Sequence, residues 1–177
     1  MNTPWLPYLA IDYLDNYLKP DMTVFEWGSG GSTIWFAQRV KSVISIEHNP
    51  EWTVSLDNVD FHLIQPEDGS LGDNPSNPEH YRARPIGEKN FKKYATAIEQ
   101  FDQKFDLILI DGRARASCLY HSIDKVKNGG FIIIDNTERD YYLARLASYF
   151  EDWNKITFFG NGPKNSWKWE TTFFQNE

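Results

Sequence analysis

Glu26 stands two residues before a run of small residues, Gly28-Ser29-Gly30-Gly31-Ser32, and a second acid, Glu47, follows 19 residues after Gly28. Glycine lets a backbone approach a ligand closely and adopt positive φ. A strand that breaks into a glycine turn and then a helix is a ready site for an anion or a cofactor. An acid at the spacing of Glu47 can accept hydrogen bonds from ribose hydroxyls. Glu26 itself lies inside the apolar run VFEW, where a buried carboxylate is costly without partners. Two further acids end apolar runs: Asp111 after FDLILI, and Asp135 after FIII, with Asn136 next to it. Ligands of open parallel sheets bind beyond the carboxyl ends of the strands, where these acids would sit.

Three cofactor readings compete for the glycine turn. A phosphate loop needs G-K-[S/T], and that tripeptide is absent. A dinucleotide fingerprint needs G-x-G-x-x-G. Gly28 and Gly30 fit it, but Thr33 takes the third position, which impairs close helix–strand packing. A diphosphate would also be repelled by Glu26. S-adenosylmethionine carries an ammonium and a sulfonium and no phosphate, so an acid beside it attracts.

The elements that must position these residues are legible from periodicity. Leu6, Leu9, Ala10, Tyr13, Leu14, Tyr17 and Leu18 recur at helical spacing. Strands are expected at Thr23–Trp27, Ser42–Ile46, Phe61–Ile64, Phe105–Ile110 and Phe131–Ile134. Helices are expected at Thr33–Val40, with Ser32 as N-cap, and at Pro50–Leu56, Phe91–Phe101, Ser117–Val126 and Tyr141–Phe150. Asn128, Gly129 and Gly130 would end the helix that starts at Ser117. Two strand-like runs, Ile156–Phe159 and Trp167–Phe174, close the chain. Alternating strands and helices imply a doubly wound, mostly parallel α/β sheet. The last two runs lie too close in sequence to be parallel neighbours, so the final strand should be antiparallel. Gln65 to Asn90 contains four prolines and no sustained periodicity. A connection of this length is either a lid or binding loop or a surface insertion.

The chain has 177 residues, which fits one domain spanning 1–177. Its net charge of −7 does not favour nucleic acid, whose phosphates are bound by Lys and Arg. Seven Trp are enough for some to line a pocket. Cys118 is the one cysteine, which fits a reducing, cytoplasmic setting. No apolar run reaches the roughly 20 residues of a membrane span, and the N-terminal residues lack the basic region of a signal peptide.

With Glu26, Gly28 and Gly30 forming E-x-G-x-G, Glu47 after the second strand, and an antiparallel closing strand, the chain resembles class I S-adenosylmethionine-dependent methyltransferases. The resemblance runs from about Val24 to Phe174. It implies a seven-stranded sheet with an antiparallel last strand and S-adenosylmethionine as cofactor, while the acidic net charge suits a small-molecule methyl acceptor. It further implies that Glu26 receives the methionine amino group, directly or through water, and that Gly28, Ser29, Gly30, Gly31 and Ser32 wrap the methionine and ribose. Glu47 would bind both ribose hydroxyls, and His48 would flank the adenine. Asp68, or else Glu67, would meet the adenine amino group. A nicotinamide-dependent oxidoreductase and a non-catalytic binding module of the same fold are the alternatives.

Asp111, Asp135 and Asn136 also resemble the ligand set of metal-dependent, catechol-type O-methyltransferases, which implies magnesium and a catalytic role for Asp111. That family places a lysine three residues after the first Asp, where this chain has Ala114. Equally open is a helix cap at Asp111 with a turn at Asp135 and Asn136. Arg113, Arg115 and Arg139 could bind an acidic acceptor or pair with surface acids.

Overall fold

In the computed structural model, which describes residues 2–84 and 87–177, α1 (Tyr8–Tyr17) leads into β1 (Thr23–Trp27), α2 (Gly31–Ala37), β2 (Ser42–Glu47) and β3 (Val59–Leu63). The short strands β4 (Glu67–Asp68) and β5 (Lys89–Asn90) come next. Then follow α3 (Lys92–Ala95), β6 (Phe105–Ile110), α4 (Arg115–Ser122), β7 (Val126–Asp135), β8 (Asn154–Gly160) and β9 (Trp169–Gln175). Seven strands form one sheet in the order β3-β2-β1-β6-β7-β9-β8. Pairings from β3 through β7 are parallel, while β9 runs antiparallel to both β7 and β8. Residues 161–168 are too few for a parallel crossover, so the chain must reverse there. This is the class I methyltransferase fold.

The central strands β6 and β7 end in continuous apolar runs because both faces of the sheet are covered there. Val24, Leu107, Leu109, Phe131, Ile133 and Phe173 face one side, with Ala10, Ile11 and Leu14 of α1 and Trp35 and Phe36 of α2. Phe25, Trp27, Ile44, Ile46, Ile108, Ile110, Ile132 and Ile134 face the other, with Tyr94, Cys118 and Leu119. The alternation along each strand is the period of two that a pleated chain imposes. Burying one such side chain contributes about 1.5–3 kcal/mol. A charge at Ile108, which pairs with Phe25 and Ile132 in the middle of the sheet, would break it.

Several elements differ from the sequence expectation, each for a local reason. Tyr141–Phe150 is not an α-helix but two 3-10 turns, Asp140–Tyr142 and Ala147–Phe150. Arg139 donates to the Tyr142 hydroxyl at 3.3 Å and the Arg115 guanidinium lies 5.5 Å from its ring centre, contacts that hold the first turn toward the sheet end. Asn128, Gly129 and Gly130 do not end a helix. They lie within β7, at an irregularity between the Phe105 and Leu107 pairings. Ser32 is not an N-cap, because α2 starts at Gly31, two residues earlier than expected, and Gly30 holds the cap position. The Pro50–Leu56 helix shrinks to a 3-10 turn, Pro50–Trp52. Phe91–Phe101 divides into α3 and a 3-10 turn, Thr96–Gln100.

The 65–90 connection is closed at its neck, where Glu67 and Asp68 pair with Asn90 and Lys89. A 3-10 turn, Pro78–His80, lies inside it. Ala83 is buried in the core on the α4 side of the sheet.

Candidate functional site

Parallel pairing brings the carboxyl ends of β1, β2, β6 and β7 into one row, since Trp27 is level with Ile46 and Ile110, and Ile110 with Ile134. The next residues along each strand are Gly28, Glu47, Asp111 and Asp135. All four line one cavity of about 440 Å³.

At Gly28 the backbone turns with φ 101°, and an added Cβ would lie 2.9 Å from the Gly112 nitrogen. Two backbones therefore cross where a side chain on either would not fit. At Gly30, with φ 151°, an added Cβ would lie 3.2 Å from the Trp52 ring. Thr33 fills the place where a dinucleotide fingerprint has its third glycine. Its hydroxyl accepts from the Gly30 N–H at 2.9 Å and sits 3.1 Å from the Ser29 hydroxyl. The loop is thus tied internally by the residue that departs from the fingerprint.

Glu47 is buried and joins β2 to this loop. Its Oε2 accepts the Ser29 N–H at 2.9 Å, and its Oε1 accepts the N–H groups of His48 and Asn49 at 2.7 and 2.8 Å. His48 Nδ1 stands 2.6 Å from Oε1. Burial alone would raise the carboxyl pKa, but the bonds from His48 and Asn49 outweigh it and hold it below the ordinary value. Oε1 is filled by these donors. Oε2 has one protein donor and keeps capacity for another.

Glu26 is fully buried and does not line the cavity. Ser32 and Ser45 each donate to its carboxylate at 2.9 Å, so Ser32 stands at the cavity with Glu26 behind it. Burial pushes Glu26 up to about 7 despite these bonds, with Glu47 adding to the rise. Direct contact between Glu26 and a ligand in the cavity is not what this geometry provides. Asp68 is likewise outside the site: its side chain is 93% exposed and pairs with Lys89 at 2.9 Å. The β4–β5 ladder carries it away from the sheet edge.

The acids at β6 and β7 are bridged by an arginine. Arg115, buried at the start of α4, points back across the sheet end. Its Nη2 is 3.0 Å from Asp111 Oδ1, and its Nη1 donates to Asn136 Oδ1 at 3.2 Å and stands 3.7 Å from Asp135 Oδ2. Asp135 also accepts from Trp169 Nε1 at 2.9 Å and from the Thr171 hydroxyl. Burial, then the facing Asp135 carboxylate, raise Asp111 well above the usual carboxylate range against the pull of Arg115. Burial raises Asp135 too, opposed by Arg115, Thr171 and Trp169.

The oxygens expected to bind magnesium therefore already share one fixed cation. The residues do not fit a divalent ion. Among the described residues no group of three or more His, Cys, Asp or Glu side chains is placed to hold a metal. The expectation of a helix cap at Asp111 also fails, since Ala114 holds the N-cap position of α4.

Sequence reasoning missed the arginine's direction, although its i,i+4 spacing from Asp111 was a usable signal. It also missed the cavity rim, where Trp5, Trp52 and Trp167 are 43, 44 and 62% exposed. Lys164 lies 5.2 Å from the Trp5 ring centre and 5.7 Å from that of Trp52. The high tryptophan count was the one hint.

Residues 25–137, well over half of the chain and including the glycine turn, Glu47, Asp111 and Asn136, match the model of a family described as a methyltransferase domain. The chain belongs to this methyltransferase family. A search of curated proteins found no match. Among solved structures, the methyltransferase domain is similar to a putative methyltransferase from Streptococcus mutans in complex with SAH (TM-score 0.63, 10% identity, 94% of this chain and 95% of that one). It is also similar to an O-methyltransferase from Bacillus cereus in complex with SAH (0.60, 16%, 88% and 74%) and to an rRNA methylase from Streptococcus thermophilus (0.61, 10%, 96% and 96%). At these identities the likeness is one of fold. None of the described helices is long and apolar enough to cross a membrane.

Proposed function

We propose that this protein is an S-adenosylmethionine-dependent methyltransferase that methylates a small molecule at oxygen. One observation carries the reading: Glu47 is fastened to the glycine turn through the Ser29 N–H, and both face the cavity at the carboxyl ends of the strands. The cradle fits this cofactor. Oε2 of Glu47 is left to accept one ribose hydroxyl, while Oε1 is occupied by its own backbone donors. The crossing of Gly28 and Gly112 lets the backbone come close, with no side chain intervening. Glu26 acts through Ser32 and not by direct contact.

When bound, the cofactor supplies an electrophilic methyl group that an acceptor oxygen displaces in line, leaving S-adenosylhomocysteine. The chain's own residues would orient the acceptor and exclude water. Asp111 lines the cavity and has a raised pKa, which suits it to take the proton from the acceptor hydroxyl. Arg115 fixes that carboxylate in place. No step needs a metal. A buried single cysteine, Cys118, supports a cytoplasmic setting.

Calorimetry with S-adenosylmethionine and its homocysteine product tests the reading. Both should bind and raise the melting temperature, since a ligand selective for the native state stabilises it. No heat with either, but clear binding of NAD, would overturn it in favour of an oxidoreductase.

A further inference from the structure

A second, smaller cavity of about 60 Å³ adjoins the first and shares Gly112, Arg113, Arg115 and Arg139 with it. Arg82 and Arg84 enter it from the 65–90 connection, Arg113 from the turn before α4, and Arg139 from the turn after β7. Tyr141 and Tyr142 complete the wall, and no acid is among the described lining residues. With Arg115, five of the chain's 18 Lys and Arg converge on this one recess in a protein of net charge −7.

Among the described residues only Arg115 of these five has a buried carboxylate partner. Arg115 is committed to Asp111 and Asp135. Arg82 donates to the Gly87 carbonyl, and Arg84 lies 5.9 Å from the Tyr141 ring centre. Arg139 reaches only the neighbouring Glu138, at 3.7 Å and exposed. Arg113 has no side-chain ion pair among the described residues. Like charges held together near a low-dielectric wall repel, and an anion between them relieves that cost.

We propose that this recess binds the anionic group, a carboxylate or a phosphate, of the methyl acceptor. The proposal rests on the methyltransferase reading above and names its substrate class. Arginine suits the task because its planar fork pairs with both groups through two parallel hydrogen bonds. The recess opens on the side of the main cavity where Asp111 and Asn136 lie. An acceptor anchored there by its anionic end would extend its hydroxyl toward Asp111. The small volume accommodates one headgroup, and the net negative charge of the whole protein disfavours a polyanion.

The test is calorimetric titration of the full chain, saturated with S-adenosylhomocysteine, with inorganic phosphate and separately with citrate, in chloride buffer. At least one should bind saturably, and the better of the two identifies the headgroup. The variant Arg82→Ala/Arg84→Ala, whose residues line the recess and not the main cavity, should weaken that anion at least tenfold, while affinity for S-adenosylhomocysteine stays within about twofold and reports an intact fold. Arg84→Ala, on an exposed side chain, should weaken it several-fold. No saturable binding of either anion to the wild type overturns the proposal, as does equal affinity in the variants. Binding of an RNA oligonucleotide that the variants lose, with no response to either small anion, overturns it in favour of a nucleic-acid acceptor. Failure of S-adenosylhomocysteine to bind the wild type instead overturns the cofactor reading, and the anion titrations then stand alone.

Discussion

Arg115 Nη2 lies 3.0 Å from Asp111 Oδ1, and the same guanidinium reaches Asp135 and Asn136 across the carboxyl ends of β6 and β7. A buried ion pair of this kind adds little net stability while intact, but removing one partner strands the others. The group therefore sets geometry, and its components are not separable.

Arg115→Ala should lower stability by about 3–5 kcal/mol, because the buried Asp135 and the half-buried Asp111 lose their cation. At this chain length that is a fall in melting temperature of roughly 6–20 °C. Chelator and magnesium should leave the melting temperature and cofactor affinity of the wild type unchanged. A wild-type protein whose melting temperature drops on chelation would contradict the assignment of Arg115 as the resident cation.

Glu47→Gln keeps one oxygen but loses the charge that three backbone donors share. Cofactor affinity should fall about tenfold or more, in line with about 1.5–3 kcal/mol for hydrogen bonds to a charged group. The melting temperature should fall as well, since Ser29, His48 and Asn49 all rely on this carboxylate. Calorimetry with S-adenosylhomocysteine and thermal unfolding read the two effects. An unchanged dissociation constant would remove Glu47 from the cofactor site.

Glu26 makes stability depend on pH in a defined direction. Its folded pKa is about 7 against 4.5 for the free side chain. Below about pH 4.5 both states carry the proton and the contribution is complete. Between there and 7 the folded state holds a proton that the unfolded state has released, so stability falls as pH rises. Across that window the loss amounts to about 3 kcal/mol. Asp111 and Asp135 shift in the same direction but remain in both arms of a comparison with Glu26→Gln. Denaturant unfolding from pH 5 to 8 should show the variant gaining on the wild type as pH rises. Parallel profiles would show that Glu26 does not titrate in this way.

Gly112→Ala should destabilise the protein by about 1–3 kcal/mol. The new methyl would lie 2.0 Å from the buried Tyr94 hydroxyl and 3.1 Å from the Gly28 nitrogen. Displacing Gly28 should weaken S-adenosylhomocysteine binding at the same time. Gly160→Ala meets nothing within 4 Å and serves as the neutral control. Equal melting temperatures for the two variants would mean that the crossing of Gly28 and Gly112 is looser than described.

The sheet was legible because fully buried strands write continuous apolar runs such as FDLILI and FIII, and a run can be read without knowing its neighbours. The reversal of β9 was legible from the length of one connection. Helix ends were not, because they depend on which side chains the fold brings within reach: Ser32 turned to Glu26 in place of capping, and Tyr142 turned to Arg115 and Arg139. The glycine turn and Glu47 came together as their spacing implied. Asp68 did not, since nothing local announces the β4–β5 ladder. The cation between Asp111 and Asp135 was hidden for a related reason. Spacing links Arg115 to Asp111, but only the β6–β7 register brings in Asp135.

The pairing of β1 with β6 carries a consequence for the order of events in synthesis. Thr23 bonds to Asp106, 83 positions later, and Gly28 gains its neighbour Gly112 only after that strand is in place. Loop closure over such a distance is a late and slow step compared with local contacts. A nascent chain that has emerged from the ribosome only through β3 carries the glycine turn and Glu47 but lacks the backbone that supports them. Ligand capture should therefore begin only once β6 has emerged, so cofactor supply can stabilise the finished protein but cannot template its early folding.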